Sequence, residues 1–208
     1  MPGAMIRLAA AAAALAVARA PPPDTNCPIL FVGSSSIAFW WTLQRDMAPY
    51  KVADRGVPGA RIPDVSGGFP GAARSLHPRA VVFYAGDNDI DAGRPADRVL
   101  HDFGVFLEVK DRTLGAAPVY FISVKPSRAR ASELPTQTAV NDGVRALAAT
   151  RHDLVYIDVA SQMLQDGRAR NLFIFDGLHM NAAGYALWTR AVRAALDQTG
   201  AADLPCPP

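Results

Sequence analysis

The chain has 208 residues, half of them apolar, so it can bury one substantial hydrophobic core and has a usual length for a single domain. Its 21 lysines and arginines and 19 aspartates and glutamates are spread along the chain, without the basic cluster that binds nucleic acid. We therefore expect no nucleic-acid partner.

The first twenty residues have the composition of an export signal. Arg7 precedes an apolar run over 8–17, and Ala18-Arg19-Ala20 has the small-x-small form of a cleavage site. The run is shorter than the roughly 20 residues that span a bilayer, so no permanent membrane span is expected. We predict a signal peptide at 1–20 and a periplasmic or secreted protein. Because Pro21 is unfavourable after a cleavage site, an Ala-rich tail on a cytoplasmic protein remains the alternative.

Apolar runs alternate with amphipathic stretches after a Pro-rich segment at 21–27. This alternation predicts one α/β domain at 28–200 with a mostly parallel sheet, followed by a tail at 201–208. The predicted strands lie at 29–32, around 50–53, and at 79–85, 118–124 and 154–159. The predicted helices lie at 36–47, at 96–114 before Gly115, around 140–147, and at 182–199 between Asn181 as N-cap and Gly200.

Polar, glycine-containing segments follow the first three strands, and a similar segment precedes the last helix. They lie at 33–36, 55–59, 86–89 and 176–179. In an open parallel sheet, ligands bind at the carboxyl ends of the strands. The four segments therefore predict one shared site.

Two of these segments contain the residue types of nucleophilic catalysis. A serine hydroxyl becomes a good nucleophile when a base takes its proton and a third group orients that base. Ser35, His179 and Asp176 can fill these roles if the last segment folds toward the serine. Each has a simpler alternative, because a serine after a strand can cap a helix and a histidine can merely flank one.

Acyl transfer also needs hydrogen-bond donors aimed at the developing oxyanion. Gly59 offers a backbone N–H without a neighbouring Cβ, and Asn88 offers a side-chain amide. A plain turn at Gly59 and an Asx-turn at Asn88 are the corresponding alternatives.

Taken together, four sequence blocks resemble those of the SGNH (GDSL-type) hydrolases, in the same order and with similar separations. The blocks are FVGSSSI at 31–37, RGVPG at 55–59, YAGDND at 84–89 and DGLHMNAAGY at 176–185. The resemblance implies a flavodoxin-like three-layer α/β/α sandwich with a five-stranded sheet. It also implies a serine esterase that needs no cofactor.

Carried over by position, the resemblance implies a role for five residues. Ser35 is the nucleophile, His179 the base and Asp176 its orienting partner. The backbone N–H of Ser35, together with Gly59 and Asn88, forms the oxyanion hole.

Two positions differ from the family pattern or leave it ambiguous. The usual Gly-Asp-Ser is replaced by Gly33-Ser34-Ser35, so the acidic residue before the nucleophile is missing. In the second block, Gly56 is an alternative to Gly59 as the donor.

We expect hydrolysis of a carboxylic ester of lipid, lysophospholipid or acetylated-sugar type through an acyl-serine intermediate. A catalytically silent member that binds a glycan or lipid, and an acyltransferase with the same triad, remain alternatives. The acidic run at 87–91 does not fit a calcium loop, because Ala92 stands where the glycine belongs. No metal site is expected.

Cys27 and Cys206, the two cysteines of the sequence, lie near the two ends of the mature region. Domain termini often lie close together, and an exported protein meets oxidising conditions. We therefore expect a disulfide between them, with two unpaired thiols as the alternative in a cytoplasmic protein.

Two further groups of side chains each have two interpretations. Trp40 and Trp41 are expected in the core, with an acyl or sugar pocket as the alternative. Lys125, Arg128 and Arg130 are expected in a solvated charged loop, with contact to an anionic substrate as the alternative.

Overall fold

The structure is a computed structural model that describes residues 26–207. The predicted signal peptide at 1–20 and most of the Pro-rich segment lie outside the described residues. Five parallel strands form one sheet in the order β2-β1-β3-β4-β5. They are β1 (Ile29–Gly33), β2 (Val52–Gly56), β3 (Ala80–Tyr84), β4 (Val119–Ile122) and β5 (Leu154–Ile157).

Seven α-helices are present in the described residues. They are α1 (Ser35–Ala38), α2 (Leu43–Asp46), α3 (Ile62–Leu76), α4 (Asp87–Asp91), α5 (Ala96–Leu114), α6 (Leu134–Ala148) and α7 (Ala182–Gln198). Two 3₁₀ turns lie at Ala131–Glu133 and Ser161–Met163. A small antiparallel hairpin pairs β6 (Leu164–Gln165) with β7 (Arg168–Ala169).

The sheet is the middle layer of an α/β/α sandwich. On one face, Phe31 and its neighbours pack against Trp188 of α7 and the Trp40 segment between α1 and α2. On the other face, Phe83 packs against Phe106 of α5, within a core that includes α3 and α6. Both faces are covered, which is why the central strands are nearly continuous in apolar residues. The predicted fold class is confirmed.

Three helical segments differ from the sequence prediction, one of them the short helix α4, which lies where a turn after a strand was expected. A single helix over 36–47 is wrong, because α1 and α2 are separated by a break in which Trp40 turns into the core. The Trp40 indole N–H and the Thr42 hydroxyl both donate to Asp46, which fixes this break. Helix α3 was not predicted at all, because its sequence contains three glycines and an internal Pro70.

Chain segments at the two ends of the described region meet. Cys27 and Cys206 are joined by a disulfide, with their Cα atoms 5.6 Å apart. Arg79 Nη1 donates to the carbonyl of Ala202 at 2.8 Å, and Ala201 is buried against the core. Within residues 26–207, no helix has the length and apolar character needed to cross a bilayer.

Candidate active site

The site lies at the carboxyl edge of the three strands that begin the fold. β1 lies between β2 and β3 in the sheet, so the segment after β1 is flanked by the segments after its two neighbours. Ser35 follows β1, Gly59 follows β2 and Asn88 follows β3. Strand order therefore places these three residues around one point.

Three side chains from two distant segments form one hydrogen-bonded series. His179 Nε2 lies 3.0 Å from Ser35 Oγ, and His179 Nδ1 lies 2.6 Å from Asp176 Oδ2. The His179 ring also packs against Phe39, with ring centroids 5.1 Å apart. The imidazole is thus fixed on one nitrogen by a carboxylate while the other nitrogen faces the serine hydroxyl.

Asp176 is held as a carboxylate by the loop that contains it. Its Oδ1 atom accepts hydrogen bonds from the backbone N–H groups of Leu178 and His179, at 2.9 and 3.0 Å. Burial acts to raise the pKa of Asp176, but the His179 side chain and the two backbone donors outweigh it and lower the pKa to about 2. The group therefore stays ionised at neutral pH.

The structure distinguishes the three consecutive serines. The hydroxyl that meets His179 belongs to Ser35. Ser34 is buried, and its hydroxyl lies 3.5 Å from Asp87 Oδ1. The Ser36 hydroxyl is buried and has no hydrogen-bond partner among residues 26–207. Asp87 thus brings a carboxylate beside the position where the family pattern has its acidic residue.

Gly56 and Gly59 are in different environments. The Gly56 N–H donates to Asp54 Oδ1 at 2.7 Å, and a Cβ at this position would lie 2.2 Å from the backbone nitrogen of Ala38. Gly56 therefore allows β2 to approach α1 closely. Gly59 has a φ of +76°, which favours glycine, and its N–H has no acceptor within the described residues. The geometry favours Gly59 as the available donor.

The side-chain amide of Asn88 is held in one orientation. Its Nδ2 donates to the carbonyl of Ala60 at 3.1 Å, and its Oδ1 accepts from Arg130 Nη2 at 3.0 Å. A guanidinium only donates and a carbonyl only accepts, so the amide cannot be reversed without losing both bonds. One N–H of the amide remains for another acceptor.

The turn that contains Gly59 is tied to the Asn88 helix by a second contact. Asp89 Oδ2 accepts from the backbone N–H of Ile62, the first residue of α3, at 3.1 Å. Together with the bond from Asn88 to Ala60, this contact fixes the two flanking segments relative to each other.

A buried charged cluster lies behind Ser34 and Asn88. Asp87 accepts from Tyr84 at 3.0 Å and lies within ion-pair distance of Lys125 and Arg130, at 3.5 and 3.6 Å. Lys125 is only 1% exposed, so its prediction as part of a solvated loop is wrong. Burial lowers the pKa of Lys125, and Asp87 opposes that shift. Asp87 thus gives the buried Lys125 an anionic partner, which a charged loop in the sequence does not reveal.

An apolar cavity of about 560 Å³ opens beside His179. Its walls include Phe39, Trp41, Ile174 and Tyr185. Trp41 is 88% exposed, so the expectation that it belongs to the core is wrong, whereas the same expectation for Trp40 is confirmed.

Sequence reasoning missed the roles of two side chains in the site, Arg130 and Phe39. Arg130 contacts Asn88 from 42 residues away, and no local pattern signals such a pairing. Phe39, four residues after Ser35, packs on His179 and could have been suspected from its position beside the nucleophile. Within residues 26–207, no group of three or more metal-ligating side chains is arranged to hold a metal ion.

A Ser-His-Asp series at the edge of a parallel α/β sheet is an arrangement found in serine hydrolases. The sequence profile of the GDSL-like Lipase/Acylhydrolase family matches residues 32–187, and the chain belongs to this family. Membership supports a hydrolase that acts on small-molecule esters. No curated protein sequence matches the chain by sequence comparison.

Several solved structures have the same fold as this chain. A candidate acylhydrolase of Bacteroides fragilis NCTC 9343 has a TM-score of 0.72 and 21% identity, covering 86% of this chain and 91% of its own. A GDSL-like lipase of Bacteroides thetaiotaomicron VPI-5482 has a TM-score of 0.66 and 19% identity, covering 83% and 88%. A carbohydrate esterase family 3 protein of Talaromyces cellulolyticus has a TM-score of 0.65 and 17% identity, covering 83% and 97%.

Proposed function

We propose that the protein hydrolyses carboxylic esters through an acyl-enzyme intermediate on Ser35. The observation that carries this proposal is the hydrogen-bonded series from Ser35 Oγ through His179 to Asp176. Family membership supports acyl hydrolysis as the class of reaction.

In the first step, Ser35 Oγ attacks the ester carbonyl carbon while His179 Nε2 takes the hydroxyl proton. Asp176, ionised at neutral pH, stabilises the imidazolium and keeps its Nδ1–H pointed away from the serine. The negative charge on the carbonyl oxygen is met by the N–H groups of Ser35 and Gly59 and by the free amide N–H of Asn88. The arrangement of these donors around Ser35 follows from the order of the strands.

The intermediate then collapses, and the bond to the alcohol oxygen breaks as His179 gives that oxygen its proton. Water enters, loses a proton to His179 and attacks the acyl carbon. The bond to Ser35 Oγ breaks, the serine regains its proton, and the carboxylic acid leaves. No cofactor takes part in these steps.

The cavity beside His179 supports an apolar group on the substrate. Its volume of about 560 Å³ is within the range of small-molecule sites, and Phe39, Trp41 and Ile174 offer apolar surface. We infer that esters with an acyl or alcohol chain of several carbons are better substrates than acetates.

Labelling with a fluorophosphonate probe tests the nucleophile. Wild-type protein is expected to be labelled, and Ser35→Ala is expected to lose both labelling and turnover of p-nitrophenyl acetate. Ser34→Ala and Ser36→Ala are the matched controls and are expected to retain labelling. Labelling that persists in Ser35→Ala would overturn the assignment.

A further inference from the structure

A second cavity, of about 340 Å³, lies between the loop after β4, the start of α6 and the β6–β7 hairpin. We call it the hairpin cavity. Its walls include Arg128, Arg130, Leu134, Gln137, Leu164 and Arg168. It is distinct from the apolar cavity beside His179, with which it shares no lining residue.

Gln137 is a polar side chain in the wall of this cavity without hydrogen bonds to the protein. It is 1% exposed, and neither its amide nitrogen nor its amide oxygen has a hydrogen-bond partner within the described residues. Glu133, the last residue of the 3₁₀ turn before α6, lies close enough to interact electrostatically with Gln137. The amide atoms of Gln137 nevertheless form no hydrogen bond of ordinary geometry within the described residues. Because an unpaired buried polar group is costly, a ligand that both accepts from and donates to this amide would be stabilised.

The charged side chains that line the cavity are all cationic. Arg130 is paired with Asp87 and Asp91. Arg128 donates to the carbonyl of Ile174, and neither Arg128 nor Arg168 has a carboxylate within 4 Å in the described residues. Two arginines therefore remain without an anionic partner at this wall.

The hairpin cavity is connected to the candidate active site by two contacts. Arg130 lines the cavity and also donates to Asn88 Oδ1 at 3.0 Å. The backbone N–H of Arg128 donates at 3.0 Å to the carbonyl of Gly177, which adjoins Asp176. The wall of the hairpin cavity is thus joined directly to the segments that position Asn88 and Asp176.

We propose that the hairpin cavity binds an anionic, hydroxyl-bearing part of the ester substrate. A carboxylate or phosphate meets Arg128 and Arg168, and neighbouring hydroxyl groups satisfy the two amide atoms of Gln137. A sugar acid and a glycerol phosphate both have this chemistry. As a substrate subsite, the assignment rests on the proposed esterase function.

Calorimetric titration of the full-length protein tests binding without reference to activity. The ligands are glucuronate and glycerol 3-phosphate, each paired with its neutral analogue, glucose or glycerol. At least one anion is expected to bind about tenfold more tightly than its analogue and to weaken in 0.5 M salt. Which anion binds identifies the source of the charge, and equal affinity within both pairs would overturn the proposal.

Two variants test the residues involved. Arg168→Gln is expected to weaken anion binding about tenfold, and Gln137→Met is expected to weaken it by removing the hydroxyl contacts. Both should turn over p-nitrophenyl acetate at the wild-type rate, which also shows that they are folded. Arg74→Gln, near the end of α3 at the opposite edge of the sheet, removes the same charge and should change nothing. Anion binding that is unchanged in Arg168→Gln and Gln137→Met would overturn the proposal.

A matched pair of acetyl esters connects the cavity to turnover. Acetylated glucuronate is expected to have a higher kcat/KM than acetylated glucose, and Arg168→Gln should remove that advantage. If p-nitrophenyl acetate is hydrolysed but neither anion is preferred, the cavity assignment fails and the esterase proposal stands. If no ester is hydrolysed but an anion binds through Arg168, the esterase proposal fails and the anion site stands.

Discussion

Replacing Arg130 with lysine is expected to lower kcat and leave KM nearly unchanged. The guanidinium donates to Asn88 Oδ1 and to Asp91 Oδ2, both at 3.0 Å, and lies 3.6 Å from Asp87. Lysine keeps a positive charge near the two carboxylates but lacks the planar fork that reaches the amide at the same time. Asn88 would then be held by Ala60 alone.

The expected fall in kcat for Arg130→Lys follows from these contacts. A hydrogen bond to a charged group contributes about 1.5–3 kcal/mol, and the remaining bond to Ala60 places the loss at the lower end. A loss of about 1.5 kcal/mol in the transition state corresponds to about a tenfold fall in kcat. Asn88→Ala, which removes the donor itself, is expected to cost about 10² to 10³.

A double-mutant cycle, measured as p-nitrophenyl acetate turnover, tests whether Arg130 acts by positioning Asn88 or contributes to catalysis independently of it. If Arg130 acts through Asn88, the double variant Arg130→Lys/Asn88→Ala should be no slower than Asn88→Ala alone. Arg112→Lys on the exposed face of α5, where Arg112 pairs with Glu108, is the matched control and should have no effect. If the falls in kcat of the two single variants multiply in the double variant, Arg130 does not act through Asn88.

Three further predictions concern stability and specificity. The variant Cys27→Ser/Cys206→Ser should lose about 2–5 kcal/mol of unfolding free energy in urea, because the disulfide closes a loop with a sequence separation of 179. Reduced wild type should match it, and an unchanged value would contradict this account. Between pH 4 and pH 2, wild type should lose stability as Asp176 is protonated, since its pKa is about 2 when folded and about 3.9 when unfolded. Asp176→Asn should lack that part of the pH dependence, so a parallel fall in both proteins would argue against it. Trp41→Ala should reduce kcat/KM for p-nitrophenyl hexanoate more than for the acetate, because only the longer chain covers this exposed ring; equal reductions would count against the proposed apolar subsite.

The strands could be predicted from sequence because burial on both faces leaves a continuous apolar signal. Helix α5 was likewise predicted with its observed bounds, since its apolar spacing runs unbroken to Gly115. Helix α3 could not be predicted, because Gly67, Gly68 and Pro70 are poor helix formers. It forms because Ile62, Val65 and Phe69 are buried against the other layers, a gain that tertiary packing supplies.

The residues of the candidate site could be predicted from sequence. The contacts that orient and bury the side chains around it could not. The order of the strands and the four sequence blocks placed Ser35, Gly59 and Asn88 together. The orientation of the Asn88 amide depends on Arg130, and the burial of Lys125 depends on Asp87, 38 residues earlier. Such pairings between distant charged residues leave no periodic signal, so a charged loop in a sequence does not indicate whether its side chains are solvated.

The disulfide has a consequence for how the protein can be attached to other structures. Cys27 precedes the amino end of β1, whereas Ser35 follows its carboxyl end, so a strand of five residues, roughly 16 Å, separates them. Cys206 lies beside Cys27, which brings both flanks of the domain to the edge of the sheet away from the serine. A resin, a fusion partner or a surface joined at either flank would therefore be attached at the edge of the sheet away from Ser35.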